Sequence, residues 1–445
     1  MTSNRKIPRK RNFLYHIHPP FIPANTLKFK HTWGLGGSAL VLVLMQVFTG
    51  ILLLFVYSSE MSKAYDSIRM LQQEVLFGRL IRNLHHWGAN LLIVIVFFHM
   101  LRVFFTSAYH NQRKSNWWIG LGLFLCVMVS NFTGYLLPMD QLSFWAITIS
   151  AGMFEYIPYV GPPVREMILG GPDISQATLS NFYAIHIALM PVALAILLPF
   201  HFWRVRKAGG VVEPVSLNGK IEEKQKKLAT VPHLVTREVT AAIVLIAGLM
   251  IVSVFINAPL YGQANPGLSP NPTKAPWYFS GLQELLQHFH PFFAVFVIPL
   301  LLVLWLICLP LLKSANSGGG TWFLSANGRK TGIAALFVSL ILIPLMIIAD
   351  EHASFFSHWF PAISPTIIDG VIPFVLVLAF ILFFYGWIKQ RFGATTDEGI
   401  QAICIFLLVM FTVLTITGIW FRGSGMALCW PWEISINEIA TIKRL

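Results

Sequence analysis

Five histidines stand inside long apolar runs: His85, His86 and His99 in one, His186 and His201 in another. An imidazole at membrane depth is costly and marks a functional site by default. Fourteen residues separate His85 from His99, and fifteen separate His186 from His201. At 100° per residue, fourteen steps end about 40° short of four helical turns, and fifteen overshoot them by about 60°. Each pair therefore lies near one face of its helix, with its members about 21 Å apart along the axis. Two such helices side by side offer His85 to His186 at one depth and His99 to His201 at another. A haem iron takes one axial imidazole from each side of its ring, which is this arrangement. Zinc would draw its ligands to a single depth. His86 points about 100° away from its neighbour and reads as non-ligating.

Glycine repeats the interval. Gly36 and Gly50 are fourteen apart in the first apolar run, and so are Gly120 and Gly134 in the third. Glycine lets a flat ligand approach a backbone closely. Four helices then enclose two stacked macrocycles, with ligands from two helices and slots in the other two. Arg82, three before His85, and Arg102, three after His99, are placed to pair with haem propionates. Ordinary hydrogen bonding and helix packing would explain any one of these residues. Four matched intervals favour the haem reading.

The elements that position these residues follow from composition. The 445-residue chain is 56% hydrophobic and 11% charged, with a mean hydropathy of +0.66. So little charge cannot coat a water-soluble surface, so lipid is part of its solvent. Nine apolar runs are predicted to span the membrane. They are Leu35–Tyr57, Leu84–Leu101, Trp117–Leu137, Leu179–Phe202, Val239–Leu260, Pro291–Leu312, Thr331–Ala349, Val371–Ile388 and Ile400–Phe421. With the N-terminus cytoplasmic, 23 of the 32 Lys and Arg residues fall on the inside. This is the positive-inside pattern, and it explains the net charge of +13 without nucleic acid. Some contact with anionic lipid is also expected.

The polar stretch Arg204–Arg237 reads as a cytoplasmic linker. Ser150–Ala177 and Ala258–Pro291, rich in proline, read as external loops on the same side. The four cysteines have no CxxC or CxxCH spacing, so no disulfide framework, zinc site or covalent c-type haem is expected. No internal repeat is evident.

The residues, in order, resemble the cytochrome b subunit of the Rieske/cytochrome b (bc- and bf-type) quinol:cytochrome c oxidoreductases. The similar segments include Gln46-Val-Phe-Thr-Gly50, Arg82-Asn-Leu-His85-His-Trp-Gly-Ala-Asn90, Phe98-His99-Met-Leu-Arg102, Gly134-Tyr-Leu-Leu-Pro138-Met-Asp-Gln141, Ser143-Phe-Trp145, Gly170-Gly171, Thr178-Leu179 and His186…His201. The fifteen-residue interval and Arg206 are similar to the branch that includes the split bf complexes. Three departures stand out. Gly34 occupies the place of that branch's haem-attaching cysteine, so no covalent third haem is expected; Asn181 replaces an arginine, and Met139 a tryptophan. The quinol-oxidation motif Pro-Glu-Trp-Tyr reads Ala275-Pro276-Trp277-Tyr278, without its glutamate. Glu284, about two turns further along a helix, is expected to take over the proton with a raised pKa.

The resemblance implies an all-α integral membrane protein of about nine spans. Residues 1–210 would form a di-haem four-helix module, 211–237 a cytoplasmic linker, 238–390 a C-terminal module with the quinol loop, and 391–445 an extra span and external tail. It implies two b-type haems, on His85/His186 and His99/His201. Quinol would be oxidised at the outer face near Tyr135, Tyr278 and Glu284. One electron would leave through a Rieske iron–sulfur protein to a c-type cytochrome, multihaem forms included. The other would cross to a quinone-reduction site near Arg206, in a Q-cycle that contributes to the proton gradient. The setting implied is an energy-conserving prokaryotic inner or intracytoplasmic membrane and a homodimeric complex. Two alternatives stay open: a di-haem anchor feeding another reductase or dehydrogenase without bifurcation, and a transporter whose histidines relay protons. The tail Phe421…Trp432 would contact a c-type or Rieske partner, or anchor in the lipid interface.

Overall fold

The structure, a computed structural model, describes residues 18–213, 226–312, 320–353 and 362–434. Its helices run in chain order as α1 (Leu35–Leu54), α2 (Ala64–Gln73), α3 (Gly78–Phe105), α4 (Lys114–Leu136), α5 (Gln141–Gly152) and α6 (Gly161–Leu169), then α7 (Gln176–Lys207), α8 (Thr230–Phe255), α9 (Trp277–His288), α10 (Phe293–Leu311), α11 (Ala326–Ala353), α12 (Thr366–Phe392) and α13 (Thr396–Trp420). Among the described residues, nine helices are long and apolar enough to cross a membrane: α1, α3, α4, α7, α8 and α10 to α13. Their outward faces carry rows of exposed aliphatic side chains, such as Ile243, Val244, Ile251 and Val254 on α8. On a membrane protein this is the lipid-facing surface. The fold is an all-α integral, multi-pass membrane protein.

Helix ends follow capping chemistry rather than hydropathy. The ninth span begins at Thr396, not Ile400, because Thr395 and Glu398 form a capping box: Glu398 N donates to Thr395 Oγ1 and Thr395 N donates to Glu398 Oε2. The fourth begins at Gln176 behind a capping box of Ser175 and Thr178. The fifth starts at Thr230, inside the predicted linker, and stops at Phe255 rather than Leu260. There Asn83 donates to Ser253 O at 2.8 Å and accepts from Ala258 N at 2.8 Å, which turns the chain away. Residues 214–225 of that linker, and the basic residues before His18, lie outside the described residues.

Proline explains the helical irregularities. Three π-helical turns, Ile185–Leu189, Phe293–Val297 and Thr366–Val371, each end two residues before a proline: Pro191, Pro299 and Pro373. A proline has no N–H and its ring crowds the carbonyl four residues back, and a wider turn relieves both.

Helices α1, α3, α4 and α7 form a bundle, with α8 laid against α1 and α3. Leu42, Val43, Leu92, Ile93 and Val127 fill its middle. The C-terminal helices share a second core around Ala335, Phe384, Ala402 and Phe406, on which α9 packs through Leu285. Phe104, Phe105, Trp117, Leu309 and Cys404 join the two groups. One end of the molecule is capped by α5 and α6. The other carries a two-stranded antiparallel ribbon pairing Phe21–Pro23 with Lys227–Ala229, which ties the N-terminal segment to the linker.

Candidate functional site

The four histidines on α3 and α7 meet as two pairs. The ring centroids of His85 and His186 are 6.1 Å apart, and those of His99 and His201 are 6.4 Å apart. The unequal intervals of fourteen and fifteen residues come into register because the π turn Ile185–Leu189, at His186 itself, absorbs the extra residue. Metal–nitrogen bonds of about 2 Å, with roughly 1 Å from nitrogen to ring centre on each side, put the rings of a bis-imidazole iron about 6 Å apart. Both pairs fit that separation. His86 does not join them; its ring meets Trp87 at 4.9 Å.

Hydrogen bonds set the tautomers of the first pair. His186 Nδ1 lies 2.9 Å from Ser130 O, and a carbonyl only accepts, so Nδ1 carries the proton. Thr49 Oγ1 donates its own proton to Met45 O at 2.8 Å, and so accepts from His85 Nδ1 at 2.9 Å. Thr133 Oγ1, donating to Val129 O at 2.7 Å, faces His186 Nδ1 at 3.3 Å. Both imidazoles are left with a free Nε2 lone pair, the state a metal ligand requires. At the second pair, His201 Nδ1 is buried without a hydrogen-bond partner. The sequence carries a sign of the threonines: Phe48-Thr49-Gly50 recurs as Phe132-Thr133-Gly134, a short repeat in a chain expected to have none.

Each predicted glycine lies against one histidine. A Cβ on Gly134 would fall 2.5 Å from His186 Cε1, on Gly50 3.3 Å from His85 Cε1, on Gly36 3.4 Å from His99 Cε1 and on Gly120 3.7 Å from His201 Cε1. The space of the missing side chain is taken by an imidazole edge, so these glycines seat the histidines. Gly34, at φ +66° just ahead of α1, holds a left-handed turn that a cysteine would strain.

Arg82 and Arg102 are buried at opposite ends of α3. Arg82 donates to Ala258 O at 2.9 Å and Pro259 O at 2.6 Å; Arg102 Nε donates to His31 O at 3.1 Å. His31 bonds Val212 O at 2.7 Å through Nε2, and burial and Arg102 hold its pKa below the ordinary value. Arg206 sits in the last turn of α7, at the ribbon end.

At the α5 end, the loop after α8 is fastened to the bundle. Asp140 caps α5 by accepting from Ser143 N at 2.9 Å, and accepts from Tyr261 N at 3.0 Å. Gln141 accepts from Asn265 N at 2.6 Å. Tyr135 lies within electrostatic reach of Asp140, Tyr261 and Tyr278. Tyr278 packs with Leu42, Val43, Val127 and Leu249, and its buried hydroxyl has no hydrogen-bond partner. Its neighbour Trp277 donates to Asn90 Oδ1 at 2.6 Å.

Glu284 departs from expectation. Six residues after Tyr278 on the same helix, it points about 120° away, toward α13. It is fully buried and clamped by Arg422, whose Nη2 reaches Oε1 at 2.6 Å and whose Nε lies 3.0 Å from Oε2. Burial pushes its pKa up, but hydrogen bonds from His288 and Arg422 and their charges outweigh burial and leave it below the ordinary carboxylate value. The expected raised pKa is thus overturned. Arg422 escaped the sequence reading because nothing local marks a partner 138 residues away; His288, four residues after Glu284, shares its helix face and is added by the structure.

The profile of the family described as Cytochrome b/b6/petB matches residues 23–209, which hold all four paired histidines. Cytochrome b6 of Heliomicrobium gestii is 40% identical over 192 residues, covering 43% of this chain and 88% of the relative. The menaquinol:cytochrome c reductase cytochrome b subunit of Geobacillus thermodenitrificans is 39% identical over 175 residues, covering 39% of this chain and 78% of that one. A solved chain described as Hyperthermophilic respiratory Complex III shares the fold at a TM-score of 0.62 and 21% identity, over 87% of this chain and 91% of that chain. The chain belongs to the cytochrome b/b6 family.

Proposed function

We propose that this chain is the di-haem b subunit of a quinol:cytochrome c oxidoreductase, in the bc/b6f manner. The observation that carries the reading is the two imidazole pairs, 6.1 and 6.4 Å across, stacked along one bundle, with the tautomers of the first preset by hydrogen bonds. The names of the relatives support it. His85 and His186 would hold one haem and His99 and His201 the other, with Arg82 and Arg102 near the propionates. Bound haem supplies one-electron chemistry at membrane depth.

The chain's own residues do the rest. Quinol binds at the α5 end, where Tyr278 offers a buried hydroxyl that no protein group uses, and Tyr135 lies nearby. The loop tied down by Arg82, Asp140 and Gln141 shields that end from water. The basic ribbon end, with Arg206, faces the cytoplasm and takes quinone for reduction, so that a Q-cycle contributes to the proton gradient. A Rieske iron–sulfur protein and a c-type cytochrome complete the path, in a homodimeric complex of a prokaryotic inner or intracytoplasmic membrane. The test is quinol:cytochrome c reductase activity of the purified complex, with subunit identification. Co-purification with a different reductase and no Rieske protein would replace this reading with the non-bifurcating anchor.

A further inference from the structure

Arg422, two residues past the end of α13, is the largest fully buried side chain among the described residues, 1% exposed. Such a charge stays buried only where partners use its donors. Nε and Nη2 engage Glu284 on α9, and Nη1 donates to Glu351 Oε2 of α11 at 2.8 Å and Met426 O at 2.9 Å. His288, one turn after Glu284, extends the cluster: Nε2 lies 3.3 Å from Glu284 Oε1 and Nδ1 2.7 Å from Asp350 Oδ2. One guanidinium thus joins α9, the end of α11 and the segment after α13.

The backbone contacts point the same way. A Cβ on Gly281 of α9 would fall 2.7 Å from Thr415 Oγ1 and 2.8 Å from Phe411 Cε2, and one on Gly418 would fall 3.0 Å from Ser280 O. Thr415 and Phe411 of α13 thus seat directly on the bare backbone of α9 at Gly281, and at Gly418 the backbone of α13 meets that of α9. Lys274 Nζ donates to Ile419 O at 2.8 Å, and Gly425 N to Asn271 Oδ1 at 2.5 Å. The loop that carries Ala275-Pro276-Trp277-Tyr278 is therefore fastened to the bundle on one side and to the ninth span on the other. Tyr278 looks into the bundle from the face of α9 turned away from the Arg422 clamp.

We propose that Arg422, through its ion pair with Glu284, is a positioning residue for quinol oxidation, and that the ninth span serves to fix α9 and hence Tyr278. This rests on the reading given under Proposed function. A rigid helix transmits a displacement at Glu284 to Tyr278, and misplacement of a binding group by about 1 Å costs as much as a hundredfold.

The test uses the purified complex with R422Q, R422K, E284Q and the double variant E284Q/R422Q, assayed with menadiol and decylubiquinol against soluble cytochrome c. Haem content reports folding. R422Q is expected to raise the quinol KM by about tenfold with a smaller change in kcat, and R422K to recover most of it. The double variant should be no worse than R422Q, since both remove one interaction. A quinol KM for R422Q within about twofold of wild type, at full haem content, would overturn the inference alone. So would an E284Q variant that loses kcat at unchanged KM and shifts the pH profile, for that marks a proton carrier. Should R422Q lose haem, E284Q decides by the same criteria. A wild-type complex that holds haem but oxidises no quinol would overturn the functional reading, and the positioning role with it.

Discussion

His85 and His186 face one another across 6.1 Å from helices that reach this point by different geometry, one a regular α-helix and the other widened by a π turn. The hydrogen bonds to Thr49 and Ser130 leave both rings with the nitrogen lone pair that an axial ligand needs.

The glycines differ in how tightly they seat their histidines. A Cβ on Gly134 would sit 2.5 Å from His186, whereas one on Gly120 would sit 3.7 Å from His201. G134A should therefore sharply reduce b-haem content in purified protein, and G120A should leave it near wild type. Equal effects would contradict the seating role.

Thr49 is the side-chain partner of His85 Nδ1, while His186 has both Thr133 and Ser130 O. Removing such an orienting partner typically weakens metal binding about 10- to 100-fold. T49V should accelerate haem loss and shift the midpoint potential of one haem, and T133V should do so less. Haem-transfer kinetics and redox titration of the two variants check the order.

Tyr278→Phe separates substrate binding from folding. The hydroxyl is buried with no protein partner, so its removal should leave stability unchanged or raise it by roughly 1 kcal/mol of avoided desolvation, read as an equal or slightly higher thermal midpoint. Quinol KM should rise. A destabilised variant with unchanged KM would show that the hydroxyl serves the fold.

His288 sets a pH dependence. Burial lowers its pKa, but hydrogen bonds to Asp350 and Glu284 and their charges outweigh this and push it up to about 9 from 6.5. Arg422 and Glu351 are the other charges of the cluster. The folded state thus favours the imidazolium, whose stabilisation is complete below pH 6.5 and is lost as pH rises through about 9. Thermal unfolding of the complex should show a midpoint falling across that window, and H288Q should flatten the fall.

Much of this was legible in the sequence because lipid imposes strong patterns. Spans must be apolar for about 20 residues, and costly histidines inside them stand out by type and spacing. The bundle's paired histidines and the glycines against them were readable for that reason. The π turn at Ile185 was not, since it needs the geometry of Pro191 in context. Thr49 and Thr133 were hidden because threonine in a helix usually bonds its own backbone, as both also do here. The Glu284–Arg422 pair joins the helix that follows Ala275-Pro276-Trp277-Tyr278 to a span outside the recognised motifs. Reading Glu284 alone, as a carboxylate at a membrane edge, gave its pKa the wrong direction.

Two haems held by the two imidazole pairs would be visible in the absorption spectrum of the protein. The direct measurement is the dithionite-reduced minus oxidised spectrum of the purified protein, with pyridine haemochrome quantification. Two b-type haems per chain, lost from the matching pair when His85 or His99 is replaced, is the predicted result. A protein without haem, or one whose haem survives both replacements, would contradict it.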